Sequence, residues 1–378
     1  MKVKSIETKM YRIPPTVPWE DSIHRVSGIE WIITEITTDN GWKGTGWSYT
    51  VGWGGTAIKA LLDDYLAPMV IGQDPLRVQG IWQQLRDESR GVGSGGITSL
   101  AITPIDIALW DIVAKHNGAP LYKILGGSRD RILAYGSGIN LNLSLEDLLA
   151  QIEGFLEEDY QAVKIKIGKE NPEEDVERVA AVRKLIGPNR MLLVDANQKW
   201  TVGEAVLRTA LLEPYRVDWM EEPLMSDDIS GHVHLRNSVK TPIAVGENLW
   251  NKFQFAEYIK QGACDIIQAD VARVGGITEW MKIADLAQAA NLPMAPHFLM
   301  EISLQVLCGV PNAMILENVT GGSLSEMGVL ENPLKPINGY MYPPDEPGHG
   351  VRFNKTELQK YEVTSEALKE LDLRVKKS

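Results

Sequence analysis

The stretch AVKIKIGKENPEEDVERVAAVRKLIGPNRMLLVDAN, residues 162–197, decides the fold. It opens on AVKIKIG, where Ala-Val and Ile-Gly flank Lys164 and Lys166 too closely for an exposed edge strand. That run reads as a strand buried on both faces. PEEDVERVAAVRKLI then carries helical patterning, and MLLVDAN is a second buried strand ending at Asp195. The unit repeats downstream: VDWMEEP brings Glu221, PIAVGEN Glu247, DIIQAD Asp270, PMAPH His297 and MILEN Glu317, at intervals of 20 to 29 residues. ILAYGSGI (132–139) supplies a strand ahead of these seven and completes a count of eight. One strand plus one helix at this period predicts a (β/α)8 barrel, whose strand C-terminal ends share one face. A single Asp or Glu closing a strand is ordinarily a turn former or helix cap. Seven such strand ends in register are not explained that way, because capping favours Ser and Asn equally and Lys and His cap poorly. They are expected to converge in one pocket.

Before residue 130 the pattern changes. VKSIETKMYRI alternates, and WIITEITTDNGWKGTGWSY reads as two strands joined through Asp39-Asn40-Gly41, a strong hairpin signal. Helical stretches follow over roughly 55–70, 75–90 and 98–117. This predicts an α+β unit over 1–125, a barrel over 126–344, and a return of the chain to the first unit over about 345–378. Two loops in the first unit, PTVPWEDSIHRVSG (15–28) and YTVGWGGT (49–56), combine aromatics with a His-Arg pair. They are expected to form a lid, with Trp19, His24, Arg25, Tyr49 and Trp53 closing over the end of a substrate remote from the strand-end charges. GVGSGG (91–96) follows a predicted helix rather than a strand, which argues against a dinucleotide fingerprint.

The strand ends specify a chemistry. Asp195, Glu221 and Glu247 on consecutive strands aim three carboxylates at one point, which requires a cation. All-oxygen ligation selects a hard ion, Mg2+ first and Mn2+ as a substitute. No His or Cys stands on these strands to favour zinc. Asn197 is placed to add an outer hydrogen bond. Lys164 and Lys166, two apart, share the barrel's inner face. A lysine beside another cation gives up its proton more readily, which suits Lys166 to act as a base. Asp270, one strand before His297, can hold one imidazole nitrogen and leave the other to move a proton. Lys166 and His297 would then face one another, an arrangement suited to removing a proton next to a carboxylate. Lys164 and Glu317, the latter read as a protonated donor, would receive the carboxylate oxygens. A barrel kept only as a scaffold would not need the acid and base groups, and here all are present.

These residues resemble the enolase superfamily, and within it the mandelate racemase group, over nearly the whole chain. The matching motifs are KIK at 164–166, VDAN ending in Asn197, EEP at 221–223, GEN at 246–248, the Asp270/His297 pair and MILEN with Glu317. DIALWDIVAKHNGAPLYKILGG (106–127) is similar to the family's junction between cap and barrel. The resemblance implies an α+β capping domain over a modified TIM barrel, often (β/β)(α/β)7. It also implies Mg2+ on Asp195, Glu221 and Glu247, with catalytic roles for Lys166 and the Asp270–His297 dyad. Most of the group are similar to sugar-acid dehydratases. QADVARVGGITEWMKIADLA with APHFLME resembles the talarate/galactarate dehydratase branch. GTGWSYTVGWGGTAIKALL looks more like anhydro-galactonate cycloisomerases. Dehydration of a sugar acid is the implied reaction, with cycloisomerisation or racemisation as the alternative from the same first step.

Bulk properties agree. At 378 residues the chain suits a barrel of ~250 residues plus a second unit. A net charge of −12 argues against a nucleic-acid partner, since phosphate binding needs a basic face. MKVKSIETKMYRIP lacks an apolar signal core, and no stretch approaches 18 uncharged apolar residues, so no membrane association is expected. Cys264 and Cys308 sit in apolar surroundings as reduced thiols would, which points to the cytoplasm. A homo-oligomer acting on a small carboxylate substrate is expected.

Overall fold

The computed structural model describes residues 1–364. Ile132–Ser137, Ala162–Lys166, Met191–Asp195, Trp219–Glu221, Ile243–Val245 and Ile266–Ile267 lie side by side in parallel. Single parallel bridges through Met294 carry the sheet on to Leu316–Val319, which pairs with the first strand and closes the ring. A helix follows each strand position except the last, from Leu145–Glu157 round to Met300–Gly309. After Leu316–Val319 the chain instead reaches Tyr340–Met341, which pairs antiparallel with Ile132–Ser137. The barrel is the expected modified form, and its departure lies at the eighth unit. Its first two strands are parallel and joined by a helix, so the (β/β) opening that the resemblance allowed is not the variant present.

Local chemistry explains the sharp helix limits. For Pro172–Ile186, the Asn171 side chain accepts from Glu173 N–H, and Pro172 takes the first turn, where no donor is needed. Glu173, Glu174 and Asp175 meet the positive end of the helix dipole, and Arg183 and Lys184 the negative end. Gly187 stops it at φ 76°. Val202–Leu212 begins with a reciprocal capping box between Thr201 and Glu204.

Strand alternation then builds the barrel interior in two layers. One apolar residue per strand position forms the floor: Tyr135, Ala162, Leu193, Trp219, Ala244, Ile266, Ala295 and Ile315. Two residues further along, on the same inner face, stand Ser137, Lys164, Asp195, Glu221, Gln268, His297 and Glu317. The fifth strand breaks the period, because Gly246 occupies the corresponding place and Glu247 follows it. Gly246 adopts φ +146°, and a Cβ there would lie 2.8 Å from the Gln268 backbone carbon. That glycine lets the chain turn Glu247 inward against its neighbour strand.

The capping unit has a three-stranded antiparallel sheet of Val3–Ile13, Ile29–Thr38 and Lys43–Thr50, the last two joined by the predicted hairpin. Helical segments over 55–70, Val78–Glu88 and Ile97–His116 occupy the expected places, the first with a wide turn at Leu62–Leu66. Ile97–His116 is long and apolar enough to cross a membrane, yet it is mostly buried between the cap sheet and the barrel. Its approach to the sheet depends on Gly44 and Gly46, where an added Cβ would sit 2.0 Å from the carbonyl oxygens of Ala108 and Pro104. Asp106 on this helix accepts from the Thr278 hydroxyl at 2.5 Å and fastens it to a barrel helix. The chain also returns to the cap, with Val363 N–H donating to the Met10 carbonyl. Of the expected return, residues 365–378 lie outside the described residues.

Because backbone rather than a flexible side chain faces Gly46, Gly46→Ala should cost about 3 kcal/mol, read as a lowered unfolding midpoint. Thr45→Ala, pointing to the other face, should change stability by less than ~1 kcal/mol. Equal effects would mean that the close approach is not what selects glycine.

Candidate active site

The inner-face charges meet at the mouth of the barrel beneath the cap, around a cavity of about 380 Å³. Asp195, Glu221 and Glu247 are buried, with one oxygen of each within 4.8 Å of the others. Trp219 Nε1 and Gln268 Nε2 donate to Glu221 Oε2 at 3.1 and 2.8 Å. Glu247 Oε2 is buried without a hydrogen-bond partner. A buried, unpartnered carboxylate oxygen beside two further carboxylates is an anionic all-oxygen donor set, and it fits Mg2+. Burial, with Asp195, Glu317 and Glu247 nearby, pushes the Glu221 carboxyl up to about 8. The cluster holds more negative charge than its own cations balance.

Those cations are Arg273, whose Nη1 lies 3.4 Å from Glu247 Oε1, and the two lysines. Lys164 Nζ lies 2.6 Å from Glu221 Oε1 and 2.7 Å from Glu317 Oε1. Lys166 Nζ donates to Asp195 Oδ2. Burial works against both ammonium groups, but the facing carboxylates hold Lys164 well above its ordinary value and raise Lys166. On Lys166 the neighbouring Lys164 does act to loosen the proton, and the facing Asp195 acts more strongly in the other direction. Glu317 is also corrected. Burial would raise its carboxyl, yet Lys164 and His297 bring it down to about 2. It is an ionised acceptor for Lys164, Ser137 Oγ and Phe298 N–H, the last two at 2.7 and 2.8 Å, not a protonated donor.

Across the cavity, His297 Nδ1 stands 2.8 Å from Asp270 Oδ2, as expected of a dyad. Ala272 and Arg273 N–H groups donate to Asp270 Oδ1, so the carboxylate is fixed at both oxygens. Nε2 of His297 lies 3.5 Å from Glu247 Oε2. Burial opposes its charge, but Glu247 and Asp270 raise its pKa. Lys166 and His297 thus stand at opposite ends of the carboxylate row, one against Asp195 and the other against Glu247.

The lid residues divide. Trp19, His24 and Trp53 line the cavity, as does Asn197, whose N–H donates to Asp195 Oδ1 at 2.8 Å. Tyr49 lines it too, but not at the remote end: its hydroxyl donates to Asp270 Oδ2 at 2.6 Å and lies 3.3 Å from His297 Nδ1. It ends a cap strand rather than riding on a loop, and the register of that strand aims it at the dyad. Arg25 does not line the cavity. Its side chain is 87% exposed and faces Glu20 at 3.7 Å. Arg25 begins a two-residue strand paired with Trp19–Glu20; Trp19 and Val26 take the cavity face, so the alternate pair Glu20 and Arg25 turns away from it. Sequence reading also missed Gln268 and Arg273. Gln268 was accessible through alternation, two before Asp270. Arg273, three after it, donates to the Glu247 carbonyl at 2.8 Å and Asn248 Oδ1 at 2.7 Å.

Such a site on such a barrel defines a class of metal-dependent enzymes that act beside carboxylates. Residues 5–126 match the mandelate racemase / muconate lactonizing enzyme N-terminal domain, and residues 147–357 the enolase C-terminal domain-like family. The chain belongs to the enolase superfamily, in its mandelate racemase group, whose members here are Mg2+-dependent lyases and isomerases. It is 34% identical to a 3,6-anhydro-alpha-L-galactonate cycloisomerase of Streptomyces coelicolor, over 92% of this chain and 96% of that one. It is 38% identical to an L-talarate/galactarate dehydratase of Salmonella typhimurium, over 76% and 72%. A Streptomyces coelicolor racemase crystallised with bound magnesium superposes with a TM-score of 0.92 at 33% identity, covering 96% of this chain and all of that one.

Removing one oxygen donor tests the metal reading without disturbing the floor beneath it. Glu221→Gln should weaken Mg2+ binding, measured by titration calorimetry, by more than the roughly 100-fold that losing an outer partner costs. Its far-ultraviolet circular dichroism should stay unchanged. Unaltered Mg2+ affinity would overturn the assignment.

Proposed function

We propose that the protein dehydrates a sugar acid to a 2-keto-3-deoxy acid. The observation that carries this is the placement of Lys166 and His297 at the two ends of one carboxylate row, both lining one cavity. A substrate held between them offers its α-carbon to one group on each face. When bound by Asp195, Glu221 and Glu247, Mg2+ supplies positive charge to the substrate carboxylate as its oxygens gain electrons. Lys166 takes the α-proton of one C2 configuration and His297 that of the other, each as the free base. Asp270 keeps the His297 ring oriented, with Nε2 turned toward Glu247 and the cavity. Lys164, anchored on Glu317, adds a fixed cation beside the carboxylate oxygens. The group opposite the base gives a proton to the β-hydroxyl, the C–O bond breaks and water leaves. The resulting enol becomes the 2-keto acid by taking a proton at C3 and releasing the proton of its C2 hydroxyl.

Cycloisomerisation of an anhydro-ring acid is the second reading, favoured by the match that spans nearly all of the Streptomyces coelicolor cycloisomerase. It shares the first proton transfer and differs in breaking a ring C–O bond. In the same reading, residues 1–125 with the return from about 345 form the cap, and 126–344 the barrel. Exposed Leu207, Leu211 and Met225 support assembly with further copies. The buried thiols of Cys264 and Cys308 support a cytoplasmic setting.

Lys166→Ala and His297→Asn should each lower kcat by roughly 10²–10⁴-fold. In D2O, each variant should still exchange the α-proton of the configuration that the other group serves. Near wild-type turnover in either variant would rule the assignment out.

A further inference from the structure

The two ends of the cavity differ in charge. Every lysine or arginine that lines it, among the described residues, belongs to the carboxylate end: Lys164, Lys166 and Arg273. Lys164 is held by Glu221 and Glu317, and Lys166 by Asp195. Arg273 commits its Nη1 to the Glu247 carbonyl and Asn248 Oδ1. The wall toward the cap is apolar, built from Trp19, Ile23, Val26, Trp53, Ile139 and Trp250. Its ionisable groups are Asp21 and His24 alone. Asp21 Oδ1 accepts from Ile23 and His24 N–H at 2.7 and 2.6 Å, which fixes the carboxylate in the wall. Its Oδ2 lies 3.6 Å from His24 Nδ1, so the imidazole already faces a carboxylate. Arg25 could have answered a second substrate anion, but it points outward to Glu20. Lys199, beside the same loop, faces Glu170 at 3.4 Å and does not line the cavity.

We propose that the site takes a monocarboxylate, a sugar acid in open or anhydro-ring form whose end remote from the reacting carboxylate is uncharged. This rests on the function proposed above and names its substrate class. A diacid of the same length would bring its second carboxylate against indole faces and Asp21, losing water without gaining a counter-ion. A hydroxymethyl group or ring ether loses far less there. Indole faces suit the C–H face of a sugar, and Asp21 accepts from its hydroxyls. Discrimination is then built from repulsion as well as fit.

The test compares aldonates, anhydro-aldonates and aldarates of matched length and of every C2 configuration. It reads α-proton exchange in D2O together with 2-keto product. The monocarboxylates should exceed the matching diacid in kcat/KM by at least about 10-fold. Asp21→Asn keeps the oxygen that accepts from Ile23 and His24, and should narrow that gap by raising diacid use. Asp21→Arg should narrow it further. A wild-type preference for the diacids, with exchange intact, would overturn the substrate class and leave the proton-transfer reading standing. Exchange with no member of either class would remove the proton-transfer reading, and the substrate class with it.

Discussion

Everything at this barrel mouth answers one electrostatic constraint: Asp195, Glu221, Glu247 and Glu317 are all buried, and among the described residues they are faced by two ammonium groups and the Arg273 guanidinium, fewer cations than carboxylates. Buried like charges cannot persist without compensation. The fold therefore distributes donors with care. Trp219, Gln268, Ser137 and the Phe298 N–H each satisfy a carboxylate oxygen. The oxygen of Glu247 left without a hydrogen bond marks where the protein's own donors stop and a cation belongs. The apolar floor of Tyr135, Trp219 and their neighbours keeps water out from below, which strengthens each of these interactions.

Much of this was written into the sequence because a strand has a period of two and a barrel repeats. Floor residue, then charge two positions on, recurs around the ring, so Lys164, Asp195, Glu221, His297 and Glu317 could be placed on one face before any coordinates. The capping hairpin was equally plain from Asp39-Asn40-Gly41. Where periodicity ended, so did legibility. Arg25 sits in a two-residue strand, too short to show a period in sequence, and turned the opposite way. Tyr49 was read as loop, while the strand Lys43–Thr50 carried it to the dyad. The ionisation of Glu317 depends on which partner lies nearest, a matter of fractions of an ångström that no spacing encodes. The missing eighth helix is likewise silent in sequence, since an extended segment rich in Pro and Gly gives no count of its own.

The cap and the barrel divide the labour by charge. The barrel supplies cations, carboxylates and the imidazole, held by strands and short backbone hydrogen bonds. The cap supplies mostly indoles and aliphatic side chains, with Asp21 and His24 as its ionisable contribution to the cavity. Substrate carboxylate chemistry is thereby confined to the rigid end, and recognition of the remainder to the end made of loops. The helix Ile97–His116 locks the two units by lying against both, with Gly44 and Gly46 on one side and Thr278 on the other.

Tyr49 crosses that division. It comes from the cap, yet it grips Asp270 and His297 from the end of a sheet strand rather than from the 15–28 loop. Buried Trp19 packs on Phe298 beside the dyad, but the exposed positions of that loop, Ile23, His24 and Arg25, can change without loosening it. A lineage built on this plan can exchange one substrate for another through drift in a single exposed segment while its proton-transfer apparatus stays intact. Gene duplication followed by small loop changes is then enough to yield a new catalyst, and a shared first step with divergent endings is what such a history leaves behind.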